Sequence, residues 1–106
     1  MTIYAVDPPD EYPENIIRWS VREVLCCGSE ERTRHLVGYI PLLRSGRAST
    51  SIQAFDRERM RISTSSGRVY QLEGQPGITS DAEYVWKYWK SANEANDEID
   101  VSDQYC

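Results

Sequence analysis

Arg68-Val69-Tyr70-Gln71-Leu72-Glu73 leads through Gly74-Gln75-Pro76-Gly77 to Ser80-Asp81-Ala82-Glu83-Tyr84-Val85-Trp86-Lys87-Tyr88-Trp89. The first six residues, carrying Val69, Tyr70 and Leu72, read as a strand. The glycine and proline cluster reads as a tight turn. Beyond it the apolar period lengthens. Ala82, Val85, Trp86, Trp89 and Ala92 fall on one helical stripe, as a helix lying on a sheet requires. Ser80 and Glu83 have capping-box spacing, with Ser80 as the predicted N-cap. Asp81 and Glu83 suit the positive end of the helix dipole, Lys87 and Lys90 the negative end. Tyr84 and Tyr88, four residues apart, share a flanking face. The pattern stops after Asn93. Strands therefore come first and one helix follows.

Upstream of this junction, turn signals recur every eight to twelve residues, the rhythm of a meander. Ile16 to Cys27 fits two periods. Ile17, Trp19 and Val21 alternate with Arg18, Ser20 and Arg22 as in a strand, while Ile17, Val21, Val24 and Leu25 also fit a helical face. Its β-branched and aromatic content favours a strand. Gly28 to Thr33 is a polar turn, and His35 to Ile40 completes a hairpin that Pro41 ends. Leu42 to Ala48 reads as a loop turning at Ser45-Gly46. Ser49 to Phe55, Met60 to Thr64 and Arg68 to Glu73 supply three more strands, joined at Asp56–Arg59 and Ser65-Ser66-Gly67. No crossover of helical length separates them, so antiparallel pairing is expected. The expected fold is α+β: an antiparallel meander of about five strands with one C-terminal amphipathic helix packed on one face. The domain spans 16–93, between an acidic, proline-rich arm (1–15), pinned by Tyr4, Val6 or Tyr12, and a loose acidic tail (94–106).

The 106 residues suit one domain with a modest core. The net charge of −5 is unevenly spread. Asp7, Asp10, Glu11 and Glu14 make the first 15 residues purely acidic. Glu94, Asp97, Glu98, Asp100 and Asp103 do the same for residues 91–106. The body between holds all 12 Lys and Arg against 8 acids. An acidic whole argues against plain nucleic-acid binding, yet leaves room for an arginine-rich face. No apolar run reaches the roughly 18–20 residues that span a bilayer, so no membrane partner is expected. Met1 to Tyr12 has neither a basic residue nor an apolar stretch, so no secretory signal is predicted. Cys26, Cys27 and Cys106 are odd in number and two are adjacent. They read as reduced thiols of a cytoplasmic protein.

Five groupings of residues carry candidate chemistry. Cys26, Cys27, His35 and Cys106 lack zinc-ligand spacing, so no metal or other cofactor is expected. Cys27 and His35, a nucleophile and base across a hairpin, are the one arrangement that would make a small enzyme; no oxyanion loop accompanies them. Arg57, Arg59 and Arg61 alternate, with Arg68 nearby. They predict either a row of guanidinium forks for nucleic acid or nucleotide, or an outward face that discourages strand pairing. Trp19, Trp86 and Trp89 read as anchors between helix and sheet, and Tyr84 and Tyr88 as a partner-binding patch. Asp97, Glu98 and Asp100 in the acidic end would solvate, fold over the arginine face, or meet a basic groove on another protein in imitation of nucleic-acid phosphate.

The run from Arg34 to Trp89, with Arg34-His35-Leu36-Val37-Gly38-Tyr39, Gly46-Arg47, Phe55-Asp56 and Ser66-Gly67-Arg68-Val69-Tyr70-Gln71-Leu72, continues through Gly74-Gln75-Pro76-Gly77 to Asp81-Ala82-Glu83-Tyr84-Val85-Trp86-Lys87-Tyr88-Trp89. It resembles small proteins of proteobacteria, their phages and mobile elements, across about half the chain. The shared motifs are structural and bring no activity with them. The setting implies a bacterial host cytoplasm and an inhibitor of a host defence complex, such as an anti-CRISPR protein. The expected function is a non-enzymatic, monomeric or homodimeric protein that binds another macromolecule. A protein partner is favoured over nucleic acid.

Overall fold

The computed structural model describes residues 13–106. The expectations placed on residues 1–12, the proline-rich arm and its pinning by Tyr4, Val6 or Tyr12, lie outside the described residues. Six strands and one helix follow in the order β1 (Glu14–Cys26), β2 (Arg32–Ile40), β3 (Ser45–Asp56), β4 (Arg61–Thr64), β5 (Val69–Leu72), α1 (Ser80–Ala92) and β6 (Ala95–Asp100), with a short 3-10 turn at Ser102–Gln104. The α+β class and the meander from β1 to β5 match the sequence reading. Glu14 and Asn15, assigned to the arm, already belong to β1.

The sheet is mixed rather than antiparallel throughout. Four successive antiparallel pairings join β1 to β5. Glu14–Ile16 of β1 then pairs with Tyr70–Leu72 of β5 and closes the five strands into a ring. Parity forces the seam to be parallel. Strand direction alternates along a meander, so the first and fifth strands run the same way. Closure also removes strand edges that would otherwise invite aggregation. Two long strands make the corners. β1 pairs with β5 at its start and with β2 further on, and its register breaks between Ile17 and Ser20, where Arg18 takes φ 45°. β3 gives its first half to β2 and its second to β4, with breaks between Ala48 and Ser51 and between Ile52 and Ala54. Such bulges bend a strand and sharpen its twist.

Both faces of the β1–β2 hairpin are covered. Ile16, Trp19, Val21, Leu36, Ile40, Ile62, Tyr70 and Leu72 fill the ring, where Val101 and Tyr105 join them. On the opposite face Val24 and Val37 meet Ala82 and Trp86 of α1, flanked by Ala48 and Trp89. Trp19 therefore belongs inside the ring and not under the helix, a correction to its expected place. Double coverage also explains the two periods of this segment. A strand buried on both sides shows a near-continuous apolar run that periodicity alone cannot assign. Trp86 is 1% exposed. Burying an indole of some 150–250 Å² is worth about 4–6 kcal/mol by area, an upper figure.

Three local expectations are corrected. The β2–β3 connection turns at Pro41–Arg44, and Ser45-Gly46 already opens β3. Gly46 is needed there, because a Cβ would lie 2.5 Å from the Asp81 carbonyl oxygen at the start of the helix. The N-cap is Thr79 and not Ser80. The Thr79 hydroxyl accepts from the Ala82 amide at 3.1 Å, while Glu83 turns inward to Arg22. The acidic end is not a loose tail. Ala95–Asp100 pairs antiparallel with β1, and Val101, Ser102 and Tyr105 are buried.

Candidate functional site

Helix α1 rests on the sheet through Ala82 and Trp86, and its other side is open. Tyr84 and Tyr88 are each 70% exposed, with ring centroids 6.4 Å apart. Together with Val85, Trp89 and Ala92 they line an open, almost wholly apolar hollow of about 500 Å³. Trp89 forms its wall. One side of that indole stacks on Trp86 at 5.1 Å, with the planes 9° apart, and it also contacts His35 at 4.3 Å. The His35 ring is buried and held at both nitrogens. Its Nδ1 lies 2.9 Å from the Ser49 carbonyl oxygen, which can only accept, so Nδ1 carries the proton. Nε2 then accepts from the Thr33 hydroxyl at 2.7 Å. Burial pushes His35 below its ordinary range, against the opposing Ser49 hydrogen bond. The aromatic surface thus stands on a fixed base of capped helix, stacked indoles and a neutral imidazole.

An ion cluster ties this helix to the sheet. Arg22 of β1 is nearly buried and bonds Glu83 of α1 at 2.6 Å, Glu98 of β6 at 2.8 Å and the Ser20 hydroxyl at 2.9 Å. Asp100 lies 3.8 Å away, and Lys90 of α1 reaches Glu98 at 2.6 Å. Burial works against the Arg22 charge, but the Glu83 and Glu98 bonds outweigh it and raise its pKa. Burial likewise opposes the Glu98 carboxylate, and the Lys90 and Arg22 bonds prevail and lower its pKa. A second knot joins Arg32 to Glu23 and Asp97, and Arg34 to Glu23. Arg34 and then Arg32 hold the Glu23 carboxyl below its usual range.

These contacts place the acids named from sequence. Asp97 and Glu98 are spent on Arg32, Arg22 and Lys90, and Asp100 accepts from the Ser102 amide and hydroxyl. The acidic segment does fold over arginines: its carboxylates take Arg22 and Arg32, and its Gln104 carbonyl takes Arg57 of the row at 57–61. That row is itself broken up. Arg57 and Arg59 sit in the β3–β4 turn, and only Arg61 lies on a strand. Arg57 donates to the Gln104 carbonyl and covers the Phe55 ring, and Arg59 pairs with Asp56. Arg61 donates from Nε to Gln71, and Arg68 approaches Glu14 at 3.6 Å.

Cys27 and His35 do not meet. His35 pairs with Arg22, whereas Cys27 lies five residues further along the same chain, roughly 16 Å at strand spacing. Cys26 is half-buried and Cys27 and Cys106 are exposed, all three as free thiols. Among the described residues no group of His, Cys, Asp and Glu has the arrangement to hold a metal ion, and no helix is long and apolar enough to cross a membrane. Sequence reasoning missed Arg22, Glu83 and the Val85–Trp89–Ala92 wall. The available signal for Arg22 was an arginine between Val21 and Val24 in a strand-forming segment, since a charge placed among core residues must find partners.

The fold and the surface define a small mixed-sheet α+β protein with an exposed aromatic helix face. Compared with known proteins, the chain matches no family model, no curated sequence and no solved structure.

Proposed function

We propose that this protein is a non-enzymatic binding module that docks another protein on the outer face of α1. The carrying observation is the apolar hollow lined by Tyr84, Val85, Tyr88, Trp89 and Ala92 on a helix packed against the sheet. Tyrosine and tryptophan offer large, stiff contact area at low entropic cost and dominate binding hot spots. The rest of the helix supports this reading. Its inner face is committed to the core, so the tyrosines are not needed there. Beside the helix, Arg22 and Lys90 are paired with Glu83 and Glu98, which leaves shape and apolar area as the main means of recognition at this face. A bacterial defence complex, the setting that the resemblance implies, is one kind of partner for such a module.

Capture from a native host tests this. The tagged chain should retain one stoichiometric partner. Tyr84→Ser with Tyr88→Ser should weaken that capture by at least tenfold, equivalent to about 1.4 kcal/mol, a modest hot-spot loss. Far-ultraviolet circular dichroism should be unchanged, because neither ring is buried. Equal capture by the double variant and the parent would refute the assignment.

A further inference from the structure

A second concavity lies on the outer side of β3, β4 and β5. Ala54, Asp56, Arg59, Arg61, Ser63 and Val69 line about 480 Å³ there. Arg61 and Ser63 are two apart on β4 and share a face. The Arg61 guanidinium is braced before any ligand arrives. Its Nε donates to Gln71 Oε1 at 2.8 Å, and the Gln71 amide donates in turn to the carbonyls of Arg59 at 2.7 Å and Met60 at 3.3 Å. Met60 holds φ at 55°, in the left-handed region, and its carbonyl also accepts from the Leu72 amide at 2.9 Å. Among the described residues the two terminal nitrogens of Arg61 meet no acceptor. Arg59 spends one nitrogen on Asp56, whose carboxylate also accepts from the Arg59 amide.

We propose that this hollow binds a single phosphate group. Two guanidinium forks and a hydroxyl supply more donors than the two oxygens of a carboxylate can take, and they suit the three peripheral oxygens of a phosphate monoester. Asp56 takes up the Arg59 charge, which among the described residues leaves Arg61 as the uncompensated cation of the hollow. A nucleic-acid strand fits less well. Arg57 is turned to the Gln104 carbonyl and the Phe55 ring, and Arg68 faces Glu14, so neither extends the hollow into a basic track. The site is independent of the aromatic face of α1.

Titration of the full chain with inorganic phosphate and with phenyl phosphate, followed by amide NMR shifts at fixed ionic strength, is the test. Both probes should move the amides of Arg59, Arg61 and Ser63 together, and acetate should not. Phenyl phosphate binding more tightly than inorganic phosphate would assign the site to an esterified group; the reverse order would assign it to the free ion. Arg61→Gln should abolish the response. Arg61→Lys keeps the charge, loses the fork and should weaken it about fivefold or more. Gln71→Ala should weaken it about threefold, and Arg68→Ala or Tyr84→Ser should leave it intact. Shifts scattered over the surface, or an equal response from Arg61→Gln, would overturn the proposal. So would a ten-nucleotide single strand that binds far more tightly with a steep salt dependence, in favour of nucleic acid.

Discussion

His35 shows how one side chain couples the core to the working surface. Its ring supports Trp89, which walls the aromatic hollow, and burial keeps it neutral. The folded protein therefore binds a proton there less readily than the unfolded chain. Stability is full above the ordinary histidine value of 6.5 and falls as the pH drops through it, where only the unfolded state takes up the proton. Glu23, Asp56 and Glu98 act in a lower window. Their depressed values add stability that is lost only as the pH falls below their ordinary 3.8 to 4.5. Urea midpoints measured from about pH 7.5 to 5.5 should thus decline in the parent and stay flat in His35→Asn. A parent profile already flat in that range would disprove the neutral imidazole. This residue was legible only as the single histidine of the chain. Its partners, Trp89 and Ser49, lie 54 and 14 positions away, beyond the reach of spacing arguments.

At the scale of the element, the helix was the best-read part of the chain, because 3.6-residue periodicity and its end at Asn93 are local properties. Its cap was misread by one residue. Ser80 and Glu83 fit the capping-box spacing, but the nearly buried Arg22 draws Glu83 inward, and Thr79 takes the cap instead. Two substitutions separate these readings. Thr79→Ala should cost about 1 kcal/mol, and Ser80→Ala should cost almost nothing, by thermal or denaturant unfolding. A larger loss from Ser80→Ala would restore the serine as cap. The β3–β4 turn was misread for a related reason. Arg57, Arg59 and Arg61 alternate in sequence, but two of them lie before β4 begins, so alternation never becomes a shared face.

For the whole molecule, the decisive long-range facts are the parallel seam between β1 and β5 and the return of the C-terminal segment to β1. The meander was legible because each hairpin is announced by its own turn. Closure was not, since three backbone pairs at Glu14–Ile16 join residues some 56 positions apart. The acidic composition of residues 94–106 suggested a solvated tail, yet those acids are the partners that Arg22 and Arg32 require. Deleting residues 94–106 should therefore lower the melting temperature by well over 10 °C or prevent folding. It removes Val101 and Tyr105 from the core and leaves a nearly buried guanidinium short of its carboxylates. A truncation that melts with the parent would show the segment to be an ornament.

Docking on the outer face of α1 is read most directly by hydrogen exchange of the captured complex. With partner bound, side-chain contact at Tyr84 and Tyr88 should slow amide exchange in Asp81–Asn93, leaving the Arg57–Met60 turn and β6 at their free rates. Protection confined to that turn or to β6, with the helix unchanged, would contradict the account.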